Sequence, residues 1–173
     1  MMRLANAILF QLVWFICLLF GSAWALAATA VYLFLHDRYF MRTRREWRLV
    51  CVFLCLGFII DGVFFQLGLF SIANADPDAF KLPPIWLLCL WVSVATMFAH
   101  SLDFLRSRYV LGAVMGMIGP PMSYFAGAKL AGITLAEPTI LSLFAVGAMW
   151  MLVLPIGIRL SEKWALFSLQ GAK

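Results

Sequence analysis

"LANAILFQLVWFICLLFGSAWALAATAVYLFL", Leu4 to Leu35, runs for 32 residues without one charged side chain. As a single α-helix rising about 1.5 Å per residue it would be roughly 48 Å long, well beyond a hydrocarbon core of about 30 Å. Gly21-Ser22 lies in the middle of the run, and such a pair punctuates a helical pattern. The stretch reads as two short spans, about 4–20 and 23–38, joined by a tight hairpin. "MMR", the apolar run and "AWALAA" also resemble a secretory leader with its cleavage site. The run is long for a leader and carries Asn6 and Gln11, which favours membrane spans.

The rest of the chain agrees with that class. Of 173 residues, 65% are hydrophobic and 12% charged, and the mean hydropathy is +0.98. Soluble domains average about 45–50% apolar and about 25% charged, and a soluble fold of this size would have too little polar cover for its surface. A net charge of +5 in a soluble protein would suggest nucleic acid. Here the basic residues fall in short segments between apolar runs, which reads as topology and contact with anionic lipid headgroups, with no nucleic-acid partner. Cys17, Cys51, Cys55 and Cys89 all lie inside apolar runs, so no disulfide framework is indicated.

Further spans are expected at about 49–71, 84–105, 109–130 and 139–160. "NADPDAFKLPP" and "GITLAEP" supply turns, and Pro84 suits a first helical turn. The expected fold is all-α: a polytopic membrane protein, one compact bundle of six transmembrane helices. With the N-terminus inside, eleven of the thirteen Lys and Arg residues fall on the cytoplasmic side. Only Lys81 and Lys129 fall outside, so the positive-inside rule places both termini in the cytoplasm. The tail "SEKWALFSLQ" puts Leu160, Trp164 and Phe167 on one helical face, suited to the membrane surface or to an ordinary chain end.

Polar residues inside spans are the candidate site. Asn6 and Gln11 are amides that either bond across helices or contact a ligand. Asp61, in "GFIIDGVFFQLGLF", has no Lys, Arg or His within ten residues and falls near mid-bilayer. It is either a proton relay or substrate contact, or a helix-packing joint. Ser93, Thr96, His100 and Asp103 share one helical stripe through their 3, 4, 3 spacing. His100 with Asp103 one turn on could form an acid–base pair, and the alternative is a polar seam. Gly112, Gly116 and Gly119 allow close helix approach, and Pro120-Pro121 frees carbonyls at the depth of Asp61, with Tyr124 beyond the expected kink. The run "RYFMRTRREWR" with Arg38, Arg42, Arg44, Arg45 and Arg48 suits anionic headgroups, or else a cytoplasmic protein partner. His36 beside it reads as solvated. A haem held by His36 and His100 is conceivable in depth alone. Cys51 and Cys55 lack a third ligand for zinc, and no phosphate loop, G-x-S-x-G or H-E-x-x-H is present. Neither a metal nor a cofactor is expected.

Asn6, Gln11 with Trp14-Phe15, Asp61, "LPPIWLLCLW" with Trp86 and Trp91, Ser101-Leu102, and Gly119-Pro120 with Tyr124 and Gly127 follow one another in an order that carries a resemblance. Together they resemble a group of small bacterial inner-membrane proteins catalogued as domain of unknown function 2878, over nearly the whole chain. The resemblance implies a compact helical membrane protein and brings no established activity. It also implies a link to lipid-modifying enzymes such as cyclopropane-fatty-acid synthases, beside whose genes such proteins are often encoded. The expectation is an accessory or scaffold protein of the inner membrane, serving membrane-lipid modification or envelope stress, with a lipid-modifying protein as partner. The alternatives are a small transporter with a midplane site at Asp61, and a membrane-embedded enzyme that acts on lipid through His100 and Asp103.

Overall fold

The computed structural model describes residues 2–72 and 81–167, and its first helix breaks at Gly21. Helix α1, Met2–Leu35, is interrupted there by a backbone of φ 77° and ψ −175°, a region essentially closed to side chains other than glycine. The two limbs, 2–20 and 22–35, fold back on each other. Asn6 Nδ2 donates to the Tyr32 hydroxyl at 3.0 Å, whereas 26 residues of straight helix would hold the two about 39 Å apart. Apolar composition supplies the helices, and the length of the hydrophobic run makes the chain turn.

The remaining elements follow in short steps. A π turn, His36–Phe40, leads to α2 (Glu46–Gln66), strand β1 (Phe70–Ile72), α3 (Ile85–Met97), a 3₁₀ turn (Asp103–Leu105), α4 (Tyr109–Ala131), strand β2 (Ile133–Leu135) and α5 (Thr139–Lys163). The described residues are all-α apart from the antiparallel β1–β2 pair, which sets Phe70 opposite Leu135. Among the described residues four helices, counting α1 with the π turn as one, are long and apolar enough to cross a membrane. Large apolar side chains such as Leu19, Phe34, Ile59, Ile118, Phe144 and Leu152 are exposed on their outer faces, as lipid contact requires.

Several expectations are corrected. Residues 70–72 are strand rather than the end of a helical span. The helix beginning at Ile85 stops at Met97 after 13 residues. From there to Arg108 the chain makes successive tight turns, with Leu102 N–H on the Met97 carbonyl at 2.8 Å and Arg106 N–H on Asp103 at 3.1 Å. Side chains of α1 hold those turns: Arg3 pairs with Asp103 at 2.8 Å and Asn6 accepts from Ser101 at 2.6 Å. Helix α4 runs unbroken through Pro120 and Pro121. The carbonyl of Met117, deprived of its donor by Pro121, rests against Gly147 of α5, where a Cβ would come within 2.9 Å. Beyond α5, Leu166 and Phe167 tuck into the protein, with Arg106 over the Phe167 ring at 5.1 Å. The turn expected at "NADPDAFKLPP" and the end of the chain with Lys173 lie largely outside the described residues.

The bundle has two distinct ends. One gathers the start of α1, residues 36–48, residues 98–108 and the end of α5: Ser107 N–H donates to Glu162 at 2.6 Å and Arg45 reaches the Trp164 carbonyl at 3.4 Å. The other carries the Gly21 turn and the β pair. There Glu137 accepts from the Thr139 amide at 2.9 Å and the Thr139 hydroxyl at 2.9 Å. Those bonds hold its carboxyl below the ordinary value and stabilise the start of α5.

Candidate functional site

At the first of these ends, three polar side chains from three segments meet around one carboxylate oxygen. His36 Nε2 lies 2.9 Å from Glu46 Oε2, and His100 Nε2 lies 3.2 Å from the same atom. The other oxygen of Glu46 accepts the backbone N–H of Arg42 at 2.8 Å. The relative exposures are 1%, 1% and 3% for His36, His100 and Glu46, so Glu46 finds its hydrogen-bond partners inside the protein. The π turn brings His36 inward and stacks Phe40 against it at 6.3 Å, while Phe40 meets His100 edge-on at 6.2 Å. π turns recur at functional sites because they re-aim side chains within a helix. With Glu46 ionised, both imidazoles present Nε2–H to it. Both Nδ1 atoms are then left buried with no partner among the described residues.

This arrangement corrects one expectation: His36 is buried rather than solvated. The oxygen of Glu46 against both Nε2 atoms also leaves no room for a porphyrin between the rings. The expected stripe also divides. His100 turns to Glu46, whereas Asp103 turns to Arg3. Ser93 donates to the Cys89 carbonyl at 2.8 Å and Thr96 to the Ser93 carbonyl at 2.8 Å. Because the Thr96 proton is used there, its oxygen accepts from Tyr32 at 2.6 Å. Tyr32 in turn accepts from Asn6, and Asn6 from Ser101. The result is a directed chain of hydrogen bonds tying both limbs of α1 to α3.

Asp61 is fully buried and binds side chains rather than the carbonyls freed by the prolines. Trp91 Nε1 donates to its Oδ2 at 2.6 Å, and the Tyr124 hydroxyl donates to Oδ1 at 2.9 Å. Gly57 makes this possible, since a Cβ there would lie 2.4 Å from the Trp91 ring. Trp91 also stacks on Trp150 at 4.4 Å. Beside this group opens a cavity of about 300 Å³ between α1, α3, α4, α5 and the β pair, lined by Phe10, Trp86, Val94, Met115, Gly119, Leu154 and others. Its lining is almost wholly apolar. Its polar groups include Ser123, which accepts from Trp14 at 2.9 Å, and Tyr124; Trp150 also lines the space, with its Nε1 buried and without a partner among the described residues. Trp14, Trp86, Trp91, Gly119, Pro120, Tyr124 and Gly127, all singled out in the sequence, line this space.

Elsewhere the sequence candidates stand apart. Gln11 is exposed, as are Arg38, Arg42, Arg44, Arg45 and Arg48. Arg44 pairs with Asp37, which also accepts from Trp47 at 3.0 Å. Cys51 and Cys55 are exposed on α2. The residues that sequence reasoning missed are Glu46, Tyr32 and Trp150. Glu46 was hidden in "TRREWR", where one acid among arginines reads as a solvated loop charge. Its position at the first turn of a helix was the available signal.

Compared with known proteins, residues 3–156 match the family described as "Protein of unknown function (DUF2878)". No curated protein and no solved structure matches the chain.

Proposed function

Since the chain belongs to the DUF2878 family, which brings no activity with it, we propose its role from its own geometry. It is a membrane protein that holds a hydrocarbon chain of a membrane amphiphile between its helices. The observation that carries this reading is the cavity of about 300 Å³ whose wall is apolar apart from such groups as Ser123 and Tyr124. Ligand pockets run from about 300 to 1,000 Å³, so the space suits a length of acyl chain rather than a whole lipid. A cavity open among lipid-facing helices meets hydrocarbon before it meets any water-borne ligand.

In the same reading the bundle crosses the inner membrane six times with both termini cytoplasmic. The five exposed arginines meet anionic headgroups, and the protein is an accessory to an enzyme that modifies membrane lipids. The distribution of Lys and Arg supports this orientation, as does the gathering of residues 2–3, 36–48, 98–108 and 159–167 at one end of the bundle. Asp61, with both oxygens engaged by Trp91 and Tyr124, serves as a joint beside the cavity.

Extraction and mass analysis of lipid retained by the protein purified in detergent tests the proposal. Gly119 lines the cavity and a Cβ there meets nothing within 4 Å, so Gly119→Leu adds a side chain at the cavity wall. Retained acyl lipid is expected in the parent chain and should fall severalfold in Gly119→Leu at unchanged helical content. Equal retention in the two would overturn the reading.

A further inference from the structure

We infer that His36, Glu46 and His100 form a binding site for a first-row divalent cation, with zinc the closest match in chemistry. The ligating atoms of the three side chains all lie within 4.8 Å of one another. The two Nε2 atoms stand 2.9 and 3.2 Å from a single carboxylate oxygen. Zinc takes imidazole nitrogen and carboxylate oxygen at about 2.0–2.2 Å, so tetrahedral donors stand roughly 3.3–3.5 Å apart. Each Nε2–oxygen pair needs to separate by only a few tenths of an ångström to reach that spacing, and the two Nε2 atoms already lie within 4.8 Å of each other. Two imidazoles and one carboxylate select against magnesium and calcium, which prefer all-oxygen sets.

Charge and hydrogen bonding point the same way. Glu46 lies within ten residues of five arginines, yet among the described residues no guanidinium pairs with it; its partners are the two imidazoles and backbone N–H groups. Two neutral imidazoles leave that buried charge uncompensated, whereas a divalent cation neutralises it and uses the Nε2 lone pairs. The site is also built: a π turn, the first residue of α2 and the turns after α3 each supply one ligand, and Phe40 walls off both imidazoles. Three protein ligands leave a fourth tetrahedral position for water or a donor atom of another molecule.

The test uses the full chain in detergent, stripped with a chelator and titrated with Co²⁺, whose ligand-field absorption reports coordination. One equivalent should bind and be displaced by one equivalent of Zn²⁺. The spectrum should persist in a Cys51→Ser/Cys55→Ser chain and weaken about tenfold or more in affinity in Glu46→Gln, which keeps the size of the side chain. X-ray absorption of the zinc form of the parent chain decides the matter without any variant that could misfold. A nitrogen and oxygen shell with imidazole scattering supports the site. A sulfur shell, or no saturable uptake of Co²⁺ by the parent chain, overturns it.

Discussion

Asp61 shows how one residue changes meaning once its neighbours are known. In the sequence it is a lone acid at mid-span. In the protein its two oxygens accept hydrogen bonds from the Trp91 N–H and the Tyr124 hydroxyl, and so join α2 to α3 and α4. Replacing it with alanine leaves two buried donors without an acceptor, each costing about 1–3 kcal/mol. Asp61→Asn retains an acceptor oxygen and should cost less. Tyr124→Phe removes one interhelical bond, worth about 0.6 kcal/mol on average and up to about 1.7 in membrane bundles. Unfolding in mixed detergent should therefore rank the variants Asp61→Ala, then Asp61→Asn and Tyr124→Phe. An Asp61→Ala chain as stable as the parent would refute the joint.

At the scale of elements, the break in α1 and the interlock of α4 with α5 rest on the smallest side chain for different reasons. Gly21 is needed for its backbone, since φ 77° with ψ −175° costs other residues on the order of 1–3 kcal/mol. Gly21→Val should lower stability by that amount, read as a drop in thermal midpoint with the helical signal of the native chain intact. Gly116 is needed for space: a Cβ there would lie 2.2 Å from the Trp150 carbonyl. Gly116→Leu should therefore push α4 from α5 and destabilise more than Gly119→Leu, whose side chain enters open space. The reverse order, measured by the same unfolding, would show that the α4–α5 contact is not tight.

For the whole molecule, the two ends of the bundle translate into an orientation that labelling can read. In a background lacking the four native cysteines, Arg44→Cys and Arg106→Cys should react only with reagents that cross the membrane. Ser22→Cys and Ala136→Cys should react with impermeant ones. Labelling of positions 22 and 136 from opposite sides would exclude an even number of crossings between them and overturn the six-span arrangement.

The hairpin within Leu4–Leu35 and the helical character of the chain were legible in the sequence because both follow from length and hydropathy, which are local sums. A 32-residue uncharged run is too long for one crossing whatever its neighbours are. The early end of α3 was not legible, since it depends on Arg3 and Asn6 reaching back from the start of the chain. Nor was the cavity, because an apolar residue lining a void has the same hydropathy as one packed in a core. The meeting of His36 with Glu46, ten residues on, and with His100, a further 54 on, belongs to tertiary structure alone. Composition decides that such groups must find partners once they leave water; only the packing of α1, α2 and the turns after α3 decides that they find one another.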